Sequence, residues 1–204
     1  MAERYRRRSA LAHLGIEARA SAVAGDAGVT LRESPMRGLL VLRGDAAGAE
    51  FRGAVAAVLG LEPVVEPLTA LRRRDVSMLW LGPDEWLVVT PDRRLERIER
   101  ALRDALEGQH TALTDVSHSR ALVVLSGPRA REVLAKGCAL DLHPRVFGPG
   151  RCAQSRLARC QALIHQTSDA PEFEIHVQRS FAQYAWTWLE DAGQEFGVRI
   201  VSAG

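Results

Sequence analysis

The chain has 204 residues, of which 47% are hydrophobic, and its formal net charge is +2. This length and apolar content suffice for one sizeable core, or for two small halves that share one. The small net charge provides no overall field that would favour nucleic acid or a membrane surface. Lys136 is the one lysine among 27 Lys and Arg residues. Such a bias is typical of a GC-rich genome, so arginine clusters are weaker functional signals here than usual.

The cysteines indicate a reducing compartment. Cys138, Cys152 and Cys160 form no CxxC pair, and an odd number without a secretory context predicts reduced thiols. No apolar run approaches the roughly 18 residues of a membrane span, and the arginine-rich N-terminus lacks the apolar core of a signal peptide. We therefore expect a cytoplasmic protein with no membrane association.

The first half of the chain begins with a basic arm over residues 1–18, which carries a short apolar stripe. This arm is predicted either to be a frayed tail or to pack on a partner subunit. Helical spacing of apolar residues predicts helices over 46–59 and from Pro91 to Leu106. Prolines and three consecutive arginines predict a loop over 62–75. The predicted strands of this half are 29–31, 39–42, 76–81 and 86–89.

The second half repeats this order of elements. Ser126 is predicted to cap a helix after the first strand, and an irregular stretch follows over 137–150. Ser180 is predicted to begin a last helix that ends near Ala192. Strict alternation over 172–178 predicts a strand with one solvated face. The predicted strands of this half are 121–125, 152–157, 161–166, 172–178 and 198–201.

These elements predict an α+β fold built from two pseudo-repeated, ferredoxin-like halves with the order β-α-β-β-α. The halves are expected over residues 19–110 and 111–204, packed as one integrated domain.

The sequence contains few patterns that indicate a reactive site. The sequence contains no phosphate loop, dinucleotide fingerprint, HExxH motif or nucleophile elbow. His165 and His176 fall on opposite arms of one predicted hairpin, but a metal site would lack a third ligand in register. Cys152 and Cys160 are expected to be small core residues. The strands carry no aromatic pattern of the kind that binds RNA, which leaves an RNA-binding module as a minor alternative.

The stretch from Asp115 to Leu134 holds the densest polar cluster. Asp115, Ser117 and His118 contain the residue types of a Ser-His-Asp triad. Ser117 and His118 are neighbours on an extended segment, however, so their side chains point to opposite faces. We therefore expect this cluster to satisfy backbone and partner contacts rather than to perform chemistry.

Several motifs carry a resemblance to a known family. They are residues 81–87 (LGPDEWL), 115–118 (DVSH), 127–130 (GPRA), 137–147 (GCALDLHPRVF), 150–153 (GRCA) and 179–189 (RSFAQYAWTWL). This set resembles the folate-dependent aminomethyltransferases, the T-proteins of glycine cleavage. It is more similar to the gamma-subunit family of heterotetrameric sarcosine oxidase, a reduced relative of that fold.

The resemblance implies a non-catalytic subunit of an oxidase complex. Such a complex oxidatively demethylates sarcosine or a related N-methyl amino acid. It carries FAD, FMN and NAD and uses tetrahydrofolate, all on other subunits. The gamma chain would pack against the alpha subunit, which bears the folate domain, and through it would join the beta and delta subunits. This chain would hold no cofactor, metal or catalytic residue of its own.

One departure from the aminomethyltransferase pattern supports this interpretation. The T-protein family places a catalytic Asp in the segment that corresponds to 158–164, and here that segment contains no carboxylate. The group expected to act at the folate–amine centre is therefore absent. The alternative of a stand-alone folate-binding regulatory or repair protein of the same fold stays open.

Candidate partner-interface residues come from polar, irregular segments, where binding surfaces concentrate. Trp186 is added because Trp186 and Trp188 project about 200° apart on a helix, so one should lie at a surface or an interface. The candidates are Arg6, Arg7, Arg72, Arg73, Asp141, His143, Arg145 and Trp186.

Overall fold

The computed structural model describes residues 8–20 and 27–202. The described strands are β1 (Val29–Glu33), β2 (Arg37–Arg43), β3 (Ala70–Arg73), β4 (Val76–Gly82), β5 (Glu85–Pro91), β6 (Ala112–Asp115), β7 (Arg120–Ser126), β8 (Cys152–Leu157), β9 (Cys160–Ser168), β10 (Glu172–Gln178) and β11 (Val198–Val201). The α-helices are α1 (Ile16–Arg19), α2 (Ala49–Leu59), α3 (Leu95–Ala105), α4 (Ala130–Ala135) and α5 (Ala182–Gly193). Short 3-10 turns lie at Ala12–Leu14, Asp92–Arg94, Arg179–Phe181 and Gln194–Phe196.

The strands form two sheets, which confirms the α+β prediction. One sheet has the order β11-β1-β7-β10-β9-β8, and the other has the order β3-β4-β5-β2-β6. Neighbouring strands are antiparallel except β1 and β11, which are parallel. Each sheet borrows a strand across the middle of the chain, because β1 joins β7–β11 and β6 joins β2–β5.

Three apolar clusters hold the layers together. The first lies under α4 and α5 on the six-stranded sheet and includes the fully buried Trp186. The second lies under α2 and α3 on the five-stranded sheet and includes Trp86. The third joins the sheets to each other through residues such as Leu87 and Leu163. Both sheets are therefore covered on both faces, which explains why β4, β5 and β7 are apolar at odd and even positions.

The N-terminal segment belongs in part to this core. Leu11 is fully buried and Ile16 is 5% exposed, and both pack in the cluster under α4 and α5. Over residues 8–18 the frayed-tail alternative is therefore wrong, because the apolar stripe is buried on the chain's own six-stranded sheet. Packing of this segment on a partner stays a prediction. Residues 1–7, which include Arg6 and Arg7, lie outside the described residues.

Three local predictions need correction. The predicted loop over 62–75 contains the edge strand β3, whose Ala70 is buried against the neighbouring sheet. The predicted solvated face of β10 is instead packed between the sheets, where His176 is fully buried. Ser126 does not cap α4, which begins at Ala130 without a side-chain cap.

Candidate partner interface

Two irregular segments that are far apart in the sequence meet where the edges of the sheets come together. The Ala70 N–H donates to the Gly150 carbonyl over 2.7 Å, and the Cys152 N–H donates to the Leu68 carbonyl over 2.9 Å. Thr69 and Arg151 form an isolated antiparallel bridge between these bonds. The segments therefore form one continuous surface. We call the exposed residues of 65–74 and 141–149 the edge surface.

Apolar side chains occupy the edge surface to an unusual degree. Val65 is 63% exposed, Val146 is 56% exposed, Leu68 is 44% exposed and Leu71 is 40% exposed. Leu68 also has a φ of 61°, a left-handed backbone conformation that is costly for a residue with a branched side chain. The fold keeps an apolar side chain in water at a strained position, which is typical of a surface that is covered by a partner.

Positive charge surrounds these apolar residues. Arg72, Arg73, Arg74 and Arg145 are all exposed. Arg73 donates to the Gly60 carbonyl over 2.7 Å, and Arg72 Nε donates to the Arg74 carbonyl over 3.3 Å. Within residues 8–20 and 27–202 none of these four arginines forms an ion pair with a carboxylate. The edge surface therefore carries arginines without a carboxylate partner, among the described residues, at the rim of an apolar centre.

Asp141 and His143 shape the second segment instead of standing free. Asp141 Oδ1 accepts the His143 N–H over 2.9 Å, and His143 Nδ1 accepts the Arg145 N–H over 3.2 Å. These local bonds fix a turn of the kind that short polar side chains favour. Asp141 and His143 therefore present Arg145 and Val146 outward.

Arg131 holds the same loop from beneath and was missed by the sequence reasoning. Its guanidinium donates to the carbonyls of Leu142 and Phe147, the latter over 3.0 Å, and to Gln166 Oε1 over 2.9 Å. It also lies 5.3 Å from the centre of the Phe173 ring. Burial lowers the pKa of this guanidinium. Its spacing from these partners forms no recognisable motif, so no sequence pattern predicts this role.

Trp186 does not belong to any interface surface, and that prediction is wrong. Its side chain is fully buried in the cluster under α4 and α5, and its Nε1 donates to Glu190 Oε2 over 3.2 Å. Trp188 is partly buried and packs against the same cluster. Ala182, Ala185 and Leu189 of α5 face inward together with Trp186.

The polar cluster that begins β7 satisfies the backbone, as predicted. Ser117 Oγ donates to Asp115 Oδ1 over 2.5 Å and accepts the Leu39 N–H over 2.9 Å. The Ser117 N–H also donates to Asp115 Oδ1 over 2.8 Å, and Ser119 Oγ donates to the Val116 carbonyl over 2.8 Å. These residues form a hydrogen-bonded turn that ties β6 to β2.

The two histidines of the β9–β10 hairpin lie on neighbouring strands. His165 pairs with Glu174, and His176 pairs with Leu163 two residues further along β10. In the part of the chain that the structure describes, no group of three or more His, Cys, Asp or Glu side chains is placed to hold a metal ion. No helix in that part is both long and apolar enough to cross a bilayer.

The sequence is similar over most of its length to one family of known proteins. The model of the sarcosine oxidase, gamma subunit family matches residues 43–195. The chain belongs to this family. It is 35% identical over 201 residues to the sarcosine oxidase subunit gamma of Corynebacterium sp. (strain U-96), covering 96% of this chain and 94% of that protein. It is also 35% identical over 198 residues to the sarcosine oxidase subunit gamma of Arthrobacter sp., with the same two coverages.

Two solved structures have a fold similar to that of this chain. A chain of the heterotetrameric sarcosine oxidase from Corynebacterium sp. U-96, in complex with pyrrole 2-carboxylate, superposes with a TM-score of 0.84 and 34% identity, covering 93% of this chain and 96% of that one. The aminomethyltransferase T of the glycine cleavage system from Bartonella henselae superposes with a TM-score of 0.64 at 17% identity, covering 87% of this chain and 48% of that one. The second match shows that the fold of this chain is similar to the aminomethyltransferase fold.

Proposed function

We propose that this chain is the gamma subunit of a heterotetrameric oxidase that oxidatively demethylates sarcosine or a related N-methyl amino acid. The observation that carries the proposal is the similarity over nearly the whole length of a chain of a heterotetrameric sarcosine oxidase, with a TM-score of 0.84. The proposal gives this chain a structural role in the complex and places the redox chemistry on its partners.

The chemistry of the proposed complex lies on other subunits. We assign FAD, FMN and NAD to them, with tetrahydrofolate as the acceptor of the one-carbon unit at an alpha subunit. The gamma chain joins beta and delta through alpha. The segment 158–164 supports this division, because it has no carboxylate at the place where aminomethyltransferases need one. The three buried free cysteines fit a cytoplasmic complex.

We further propose that the two halves, 19–110 and 111–204, are ferredoxin-like repeats in one integrated domain. The first runs β2-α2-β3-β4-β5-α3-β6 and the second β7-α4-β8-β9-β10-α5-β11. Their strands lie in the orders β3-β4-β5-β2-β6 and β8-β9-β10-β7-β11, with β1 inserted between β7 and β11. Strand β6 lies past residue 110 but completes the five-stranded sheet, and β1 of the first half joins the six-stranded sheet. This exchange of strands between the halves supports one integrated domain.

The edge surface is our candidate for the contact with the alpha subunit. Its exposed valines and leucines would form the centre, and Arg72, Arg73 and Arg145 would meet acidic groups of the partner at the rim. Asp141 and His143 would contribute by holding their loop in shape. Such a division between an apolar centre and a polar rim is the usual anatomy of a stable interface.

Co-expression with the neighbouring subunits tests this function. The wild-type chain is expected to co-elute with a large flavoprotein, whereas Val146→Asp and Leu68→Asp are expected to weaken that association at least about tenfold, since a buried unpaired carboxylate costs several kcal/mol. The matched control is Phe181→Asp, which also replaces an exposed apolar side chain, 40% exposed, away from the edge surface.

The outcomes separate the function from the surface. A wild-type chain that never co-elutes with a flavoprotein, or that oxidises sarcosine alone, contradicts the proposed function. Tight stoichiometric binding of a reduced folate by the lone chain would favour the regulatory or repair alternative. If the wild type co-elutes and all three variants do so equally well, the function stands and the edge surface is the wrong face.

A further inference from the structure

A polar cleft lies on a different part of the molecule from the edge surface. It opens where β1 ends and β7 begins, and its volume is about 220 Å³. An open groove adjoins it and shares Ser9, Ala10, Arg120 and Arg179. Six charged side chains line the cleft: Glu17, Glu33, Arg37, Asp92, Arg120 and Arg179. Three are basic and three are acidic, so their formal charges cancel.

Arg120 is a partly buried charged group of this cleft. It starts β7 opposite Gln178 of β10. Among the described residues its guanidinium has no hydrogen-bond or ion-pair partner. Burial lowers the pKa of this group, and the charge of Glu85 opposes that shift, yet an arginine side chain remains charged at neutral pH. A partly desolvated guanidinium with free donors is stabilised when a planar carboxylate binds it through two parallel hydrogen bonds.

Glu33, the last residue of β1, is one of the acidic side chains that line the cleft. Its carboxylate accepts the hydroxyl hydrogen of Ser9. Burial raises the pKa of Glu33, against the opposing effects of Ser9 and the charge of Arg179. Arg179 Nη2 donates to the Arg8 carbonyl over 2.9 Å. Part of the positive charge of Arg179 is therefore balanced within the protein, whereas Arg120 faces the cleft without a bonded acid.

The balance of signs decides between ligand classes. A dianion such as phosphate meets carboxylates beside the arginines, and a simple cation meets arginines beside the carboxylates, so neither finds a lining of only the opposite sign. A molecule that carries one carboxylate and one ammonium group meets an opposite charge at each end. We propose that this cleft binds a small amino acid as a zwitterion, with its carboxylate on Arg120 and its ammonium group toward Glu33.

Binding to the full chain is measured by NMR with the protein ¹⁵N-labelled and the ligands at millimolar concentrations. Glycine and sarcosine are the zwitterionic probes, and acetate and methylamine carry one charge each. The proposal expects shifts of the backbone signals of Arg120, Arg179 and Glu33 with glycine or sarcosine, at an affinity at least about fivefold higher than for acetate or methylamine.

Two variants and one control make the test specific. Arg120→Gln is expected to weaken glycine binding about tenfold, because the charged bidentate contact is lost. Glu33→Gln is expected to remove the preference for glycine over acetate. The control Arg156→Gln changes an exposed arginine of β8, at the far edge of the same sheet, and is expected to bind glycine like the wild type.

Some outcomes overturn the proposal even if a variant folds poorly. Wild-type chain that shows no shifts with glycine or sarcosine contradicts it. Equal affinity for acetate and glycine reduces the cleft to a simple anion site and contradicts the zwitterion assignment. Because these measurements use the isolated chain, they are independent of whether it associates with a flavoprotein.

Discussion

His165 and Glu174 face each other across β9 and β10, with His165 Nδ1 3.3 Å from Glu174 Oε2. Burial acts to raise the pKa of Glu174, but the hydrogen bond to His165 and the charges of His176, His165 and Arg37 outweigh it and lower that pKa to about 2. His176 lies beside this pair, fully buried, and neither of its ring nitrogens has a partner among the described residues. A hydrogen-bonded histidine–carboxylate pair and a neutral ring therefore lie together between the sheets.

This arrangement predicts loss of stability in mild acid. Burial lowers the pKa of His176 from 6.5 to about 4, although the charge of Glu174 opposes the shift. Between these values the unfolded chain binds a proton that the folded chain does not. Stability is therefore full above pH 6.5 and falls as the pH drops toward 4, by up to about 3 kcal/mol.

Urea unfolding at a series of pH values measures this effect. His176→Leu is expected to remove this part of the pH dependence, because leucine does not titrate and leaves no unpaired nitrogen. The control His110→Leu changes an exposed histidine and should keep the wild-type slope. An unchanged slope in His176→Leu would show that another group is responsible.

Truncation of Trp186 tests whether this residue is core or interface. Trp186→Ala is expected to lower the free energy of unfolding of the isolated chain by about 3–5 kcal/mol, the usual cost of removing a buried aromatic side chain. Phe181→Ala, at a side chain that is 40% exposed, should change it by less than about 1 kcal/mol. Chemical denaturation measures both. A loss for Trp186→Ala that appears only in binding to other subunits would restore the interface interpretation.

Gly44, which follows β2, and Gly53, which lies within α2, should respond in opposite ways to substitution by alanine. A Cβ at Gly44 would lie 2.3 Å from the Phe51 ring, whereas a Cβ at Gly53 in α2 meets nothing within 4 Å. Gly44→Ala should therefore cost about 1–3 kcal/mol through overpacking. Gly53→Ala should gain about 1 kcal/mol from helix propensity. Thermal unfolding compares them, and equal shifts would contradict the close packing of Gly44 on Phe51.

The cysteine thiols should be inert in the folded chain. All three are free and buried. Burial raises the pKa of Cys152 to about 11, although the Trp80 carbonyl contact and the charge of Arg151 oppose the shift. Thiolate is the reactive form, so labelling with a disulfide reagent should be slow in the native chain and should reach three equivalents only in denaturant. Rapid native labelling would contradict this burial.

The strands that the sequence predicted are those that bury side chains. The apolar run 121–125 and the alternating run 172–178 both became strands of the six-stranded sheet. The strands β3 and β6 were missed because they are short and polar, with the sequences ALRR and ALTD. Their backbones pair with β4 and β2 at the edges of a sheet. The partner of β6 is distant in sequence, whereas β3 forms a short hairpin with β4, and neither four-residue strand has a periodic apolar pattern.

The candidate interface was predictable only in part, for a related reason. Polarity and prolines marked the segment around Asp141 and Arg145 as an irregular loop. Nothing in either sequence segment shows that Thr69 and Arg151 are bridged. The choice between Trp186 and Trp188 was equally open, because it depends on which face of α5 packs on the six-stranded sheet.

The position of β1 has a consequence for how the chain is made. Val29 pairs with Val198 on one side, and Leu31 pairs with Leu125 on the other. A ribosome therefore releases β1 before either neighbour has been synthesised, so its native backbone pairing cannot begin until β7 exists. Domains tend to fold from the N-terminus during synthesis, but here the pairing of the earliest described strand is complete only when the last one, β11, has been made.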